Sequence, residues 1–216
     1  MKYTVNIMRI LSFAVLLSAA ALYVADAKAQ TYKKAFQELS EPEKRWVFRH
    51  PFAAKNTYKI SSTVRDEVEK RRKNDKDLDG DAIGGSLDAF KHTLWMALCS
   101  QKVGRVRALS LGRAHEDGNR LEFEAAAAAN KVSGQDSVMS RMDLLNNEVG
   151  ALLGEQYPKA SFDEMAEIVK RNVLEGNCYK IKKINKKFVD KDGNVINAKK
   201  YIGVWGIPKV LVRSDE

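Results

Sequence analysis

Little in this chain points to a known catalytic framework. It has only two cysteines, Cys99 and Cys178. A lone pair makes no disulfide framework, and whether the two are bridged is open, because sequence does not give the Cα separation a bond requires. There is no H-E-x-x-H pair, so a metalloprotease signature is absent. There is no internal repeat and no low-complexity segment. The longest apolar run, Ile10 to Ala25, is shorter than the roughly 20 residues a membrane-spanning helix needs.

That run has its own explanation. Lys2 and Arg9 precede it, and Ala27-Lys28-Ala29 follows as a small-x-small cleavage pattern. Residues 1–29 therefore read as a secretory signal peptide. The expected product starts at Gln30, is secreted or periplasmic, and keeps no stable membrane span. No cysteine follows the cleavage pattern, so a lipoprotein anchor is not indicated. Cleavage removes Lys2, Arg9, Lys28 and Asp26, and lowers the formal charge from +9 to +7. A basic exported protein suits an anionic substrate, although charge also serves solubility alone. A specific partner is not readable.

The remaining chain reads as mainly α, a helical domain over 30–176 with a small C-terminal antiparallel β element over 177–216. Ser40-Glu41-Pro42-Glu43 starts a short helix that ends near His50, ahead of Pro51. Ala53, Thr57, Ile60, Val64 and Val68 set an amphipathic helix from about Phe52 to Arg72. Further helices are expected over about 87–103, 106–116, 122–129, 137–155 and 161–174, with Ser161 and Glu164 as a capping box for the last. After Gly176 come β-formers, with Asp192-Gly193 as a hairpin signal and short strands near Val204-Trp205 and Val210 to Val212.

Chemistry concentrates between Gly84 and Gly150. At 100° per residue, Asp88, His92, Trp95 and Cys99 share one stripe beside an apolar sector. Asp88 can orient His92 one turn away. On the 137–155 helix, Asp143, Asn146, Asn147 and Gly150 share another such stripe, where polar groups are costly unless bonded or coordinated. His115 leans inward, and Glu116 is second to it or faces solvent. The candidate catalytic set is Asp88, His92, His115, Glu116, Asp143, Asn146 and Asn147. Two histidines and a carboxylate, His92, His115 and Asp143, are the expected ligands of one divalent metal, with zinc, calcium and magnesium unresolved. Such an ion polarises an ester or phosphodiester, with Glu116 or Asp88 as the base. The competing reading is a buried polar network that locks helix register.

Two other stretches carry weaker signals. Asp75, Asp77 and Asp79 match the first half of a calcium loop, but Ser86 stands where a bidentate Glu belongs. The lysines from Lys180 to Lys187 can face phosphates, but read more simply as protection of sheet edges.

The motifs His50-Pro51, Asp88-Ala89-Phe90-Lys91-His92 with Trp95, Ala114-His115-Glu116, and Met142-Asp143 with Asn146-Asn147 and Val149-Gly150 resemble a family of uncharacterised bacterial proteins built on a domain of unknown function. The resemblance covers roughly His50 to Gly154. It implies that these residues form one site, and it brings no activity with it. Relatives more often carry Arg at Lys91 and Asn at Met96. If that Arg grips a substrate anion, Lys91 is a weaker, non-bidentate substitute. The occurrence of relatives at the ends of larger secreted or toxin-like proteins implies hydrolytic attack on another cell. The expectation is an exported protein, a metal-dependent hydrolase of phosphodiesters or esters with its site between helices. The other reading is a non-catalytic secreted or envelope binding domain.

Overall fold

A computed structural model describes residues 30–216. The expected signal peptide and its cleavage point lie outside the described residues. The chain divides into two compact units, one ending at Ser40 and one spanning Glu41–Glu216. In the first, residues 30–38 form a helix, α1. The second contains α2 (Glu41–Arg49), α3 (Pro51–Asn74), α4 (Ser86–Val103), α5 (Arg105–Ala128), α6 (Ser137–Gln156) and α7 (Phe162–Leu174). After them come β1 (Tyr179–Ile181), β2 (Lys183–Ile184), β3 (Lys187–Phe188) and β4 (Leu211–Arg213). The fold is mainly helical with a small antiparallel β element, as the sequence indicates. No described helix is long and apolar enough to cross a membrane.

α4 is the central element. Its sequence carries charge only at Asp88, Lys91 and Lys102, and it is buried on nearly every side. That is the behaviour of a helix apolar around most of its circumference. It packs against α3, α5, α6, α7 and β1. Its N-cap residue, Gly85, offers no side chain, and the cap comes from a distance. Asp79 Oδ2 accepts from the Ser86 N–H at 2.7 Å and Asp79 Oδ1 from the Leu87 N–H at 3.2 Å.

The α4–α6 contact is close because two glycines face it. A Cβ at Gly150 would lie 2.1 Å from the Thr93 carbonyl oxygen, and one at Gly154 would lie 2.2 Å from that of Ala97. Ser100 Oγ adds a hydrogen bond to the Ala151 carbonyl at 2.8 Å. Gly150 thus admits a neighbouring helix.

α5 is one continuous helix, where the sequence pattern suggested two. Gly118 and Asn119 sit inside it and are buried. Phe123 further along packs edge-on against Trp205, with ring centroids 4.9 Å apart. Packing of this kind overrides the roughly 1 kcal/mol propensity cost of a mid-helix glycine. α6 is capped by Asp136, which accepts from the Val138 and Met139 N–H groups. α7 has the expected capping box of Ser161 and Glu164.

In the β element, β1 pairs with β4 and β2 with β3, both antiparallel. The β2–β3 turn is Asn185-Lys186, both residues at positive φ (48° and 61°), as a two-residue hairpin of the primed type requires. The Asp192-Gly193 signal gives a turn closed by one bridge, Val189 to Val195, with no ladder. Val204-Trp205 forms no strand.

The element is fastened to the helices at three places. Asn146 uses both ends of its amide on the Tyr179 backbone, donating to the carbonyl and accepting from the N–H at 2.9 Å each. Ile181 packs with Met139 and Met142 and donates its N–H to the Gly84 carbonyl at 2.7 Å. The ammonium groups of Lys183 and Lys209 both lie over the Phe188 ring, at 4.4 and 3.9 Å. They are paired with Asp81 and Asp136 respectively. Cys99 and Cys178 are buried free thiols. Burial pushes both upward in pKa, Cys178 to about 11 with Thr93 opposing, so neither is a reactive thiolate.

Candidate metal centre

α4 supplies Asp88 and His92 one turn apart, and α6 brings Asp143 against them. His92 Nε2 lies 3.6 Å from Asp88 Oδ1 and 3.4 Å from Asp143 Oδ1. One ligand-type atom from each of the three lies within 4.8 Å of the others, and all three residues are buried. Among the described residues this is the only such group of three or more. The third member is Asp88, where the sequence suggested His115.

Asp88 Oδ2 accepts from the Gly84 N–H at 2.7 Å. Its Oδ1 lies 2.5 Å from Lys91 Nζ, an ion-pair distance without hydrogen-bond geometry. Glu116, on α5, is buried beside the group, where the sequence left it second to His115 or facing solvent. Its Oε2 accepts from Asn119 at 3.2 Å. Asn147 reaches the site across Gly112, where a Cβ would fall 2.8 Å from the Asn147 amide nitrogen.

Seven buried side-chain polar atoms in the described residues have no hydrogen-bond partner, and six belong to this cluster. They are Asp88 Oδ1, His92 Nδ1, Glu116 Oε1, Asp143 Oδ1 and both amide atoms of Asn147. Lys91 meets one of them, Asp88 Oδ1, as an ion pair only, and folded proteins rarely leave so many buried polar atoms without a hydrogen bond in one place.

Ionisation shows the same frustration. Burial, with the charges of Asp88 and Glu116, drives the Asp143 carboxyl well above its ordinary range. Burial also raises Glu116, and Asp88 adds to the shift. Burial pushes His92 well below its usual value, and Lys91 and His115 reinforce this. Asn147 acts weakly the other way, although its amide makes no bond of hydrogen-bonding geometry to the ring. Three crowded carboxyl groups around a neutral imidazole make a site that a cation would relieve.

The rim is more accessible. The Lys91 and His115 side chains retain 35% and 38% exposure, so solvent reaches the cluster's edge there. The His115 ring centroid is 6.4 Å from that of His92, and Trp95 stands edge-on to both rings. His115 Nδ1 is 2.9 Å from Glu43 Oε1 of α2. No local pattern links these two, which are 72 positions apart, and sequence reasoning missed Glu43. Burial, the largest influence on His115, lowers its pKa. The Glu43 hydrogen bond and the Glu116 charge outweigh it, and the net shift is upward from 6.5. A raised folded pKa adds stability that is fully present below 6.5 and lost as pH rises through the folded value. Glu43→Gln should therefore flatten the fall in melting temperature above pH 6.5. An unchanged profile would show that the pair contributes nothing.

Two sets of expected residues make contacts outside this cluster. Asn146 is buried, but its amide is committed to strand β1. Asp75, Asp77 and Asp79, the expected calcium-loop ligands, have carboxylates engaged within the protein. Asp75 is bound by Arg71 and Lys170, Asp77 by Lys170, and Asp79 by the α4 N-terminus.

No curated protein and no solved structure matches this chain. A family model described as Domain of unknown function (DUF6973) matches residues 44–177. That span includes Asp88, His92, Glu116, Asp143 and Asn147. Since it covers more than half of the chain, the protein belongs to the DUF6973 family of domains of unknown function.

Proposed function

We propose that Asp88, His92 and Asp143 hold one divalent cation, and that the protein is an exported hydrolase of phosphodiesters or esters. One observation carries this reading: a convergent, buried Asp/His/Asp group surrounded by unpartnered polar atoms. Two carboxylates and one imidazole leave coordination positions open for water and substrate. A divalent ion held there would supply Lewis-acid polarisation of an ester or phosphodiester. Glu116, close by with an Oε1 that makes no hydrogen bond, would serve as the base. His115 and Lys91, at the accessible rim, face an anionic substrate as it enters. Export rests on the signal-peptide pattern of residues 1–29.

The test begins with protein stripped by a chelator and reloaded separately with zinc, manganese, magnesium or calcium. Metal analysis should find one ion per chain, and bis(4-nitrophenyl) phosphate or 4-nitrophenyl acetate should be hydrolysed only by reloaded protein. His92→Ala should lose both properties. No stoichiometric ion with any of the four metals would overturn the proposal. A bound ion without hydrolysis would favour the non-catalytic envelope-binding reading.

A further inference from the structure

Positive charge is concentrated at one end of this protein. Residues 177–216 hold ten Lys and Arg against four Asp and Glu. Of the nine lysines there, Lys183 and Lys209 are ion-paired, and the other seven have no carboxylate partner among the described residues. Protection of sheet edges does not account for so many, because the strands are only two or three residues long. Like charges gathered without counter-charges repel one another, and a polyanion relieves that cost.

The element also forms one wall of a cleft of about 600 Å³. Lys191, Pro208, Lys209 and Leu211 line it on one side, and Ser137 and Arg141 of α6 on the other. Lys191 and Arg141 are exposed and in no ion pair among the described residues. Arg141 and Asp143 lie two positions apart on α6, about 200° round the helix, so the cleft and the carboxylate cluster occupy different faces of it.

We infer that this lysine-rich element and its cleft dock a nucleic-acid strand. The inference goes beyond the hydrolase reading above and stands independently of it. A strand is favoured over an anionic bilayer by the shape and content of the surface. Lys191, Lys209 and Arg141 line a concavity, and the element's only helix is a four-residue turn, Ala198–Tyr201, too short to lie in a lipid interface. Phosphates spaced along a chain match dispersed lysines, and their binding needs no base-specific contact.

Fluorescence anisotropy with a labelled single-stranded oligonucleotide of mixed sequence tests this, with chelator present so that nothing is turned over. Binding should weaken with salt, with a log–log slope of about −0.7 for each phosphate neutralised. Arg141→Glu with Lys191→Glu should weaken binding about tenfold or more, each lost phosphate contact lowering the salt slope as well. Circular dichroism should show the fold of that double variant unchanged. His92→Ala should bind like the wild type, which keeps failure of docking distinct from failure of the metal site. Three results would each overturn the inference: no binding at low salt, equal binding by the charge-reversed variant, or stronger binding to phosphatidylserine vesicles than to the oligonucleotide.

Discussion

Gly150→Ala should destabilise this protein by about 3 kcal/mol or more, at or beyond the upper end of ordinary overpacking costs. The added Cβ would meet the Thr93 carbonyl oxygen at 2.1 Å, its carbon at 2.8 Å and the Thr93 Cα at 2.9 Å. All three are backbone atoms, so no side chain can rotate away and α4 and α6 must move apart. The effect should extend to the ligand group, because α4 carries Asp88 and His92 while α6 carries Asp143. Urea unfolding should show the midpoint fall, and divalent-ion affinity should fall with it. Gly134→Ala is the control, since a Cβ there meets nothing within 4 Å. Equal midpoints for the two variants would mean that the helices are not locked at Gly150.

Asp143→Asn should act in opposite directions with and without a divalent ion. The folded protein holds the Asp143 proton well above the ordinary 3.8. A carboxyl whose folded pKa is raised favours the folded state at low pH and costs stability as pH rises from about 3.8 through the folded value. At neutral pH in chelator the ionised or proton-sharing carboxyl is therefore a liability. Asn removes it, and the melting temperature should rise. With ion at about 100 times its Kd, the wild type should gain roughly 2.7 kcal/mol by mass action, and the variant should gain little. Thermal melts of both proteins in chelator and in excess ion check both signs. If the variant responded to the ion as strongly as the wild type does, Asp143 would not be a ligand.

Much of this arrangement was legible because it is local. The 3.6-residue pattern placed Asp88 and His92 on one stripe of α4 and Asp143 and Asn147 on one stripe of α6. Capping chemistry located the start of α7, and Pro51 the boundary between α2 and α3. What was not legible depends on distance along the chain. Asp79 caps the first turn of α4 from seven and eight positions away, a contact that no local pattern shows. Glu43 pairs with His115 across 72 positions. Asn146 sits on the same stripe as Asp143, yet β1 takes both ends of its amide. A helical wheel gives direction but not the neighbour, so it grouped His115 with the ligands and left Glu116 at the margin. The continuous α5 was hidden for a related reason: Gly118 weakens the local signal, and burial supplies what propensity lacks.

The clasp between Asn146 and Tyr179 separates two meanings of the word domain. The family match stops at residue 177, just short of the backbone groups that complete the Asn146 amide. Ile181, which closes the methionine cluster, and Phe188, which the two ammonium groups cover, also lie past that limit. The portion recognisable by descent is therefore smaller than the portion able to close its own interior. Ending the polypeptide at the family boundary would strand a buried amide and uncover Met139 and Met142. A fragment that keeps these contacts has to extend at least to Lys209.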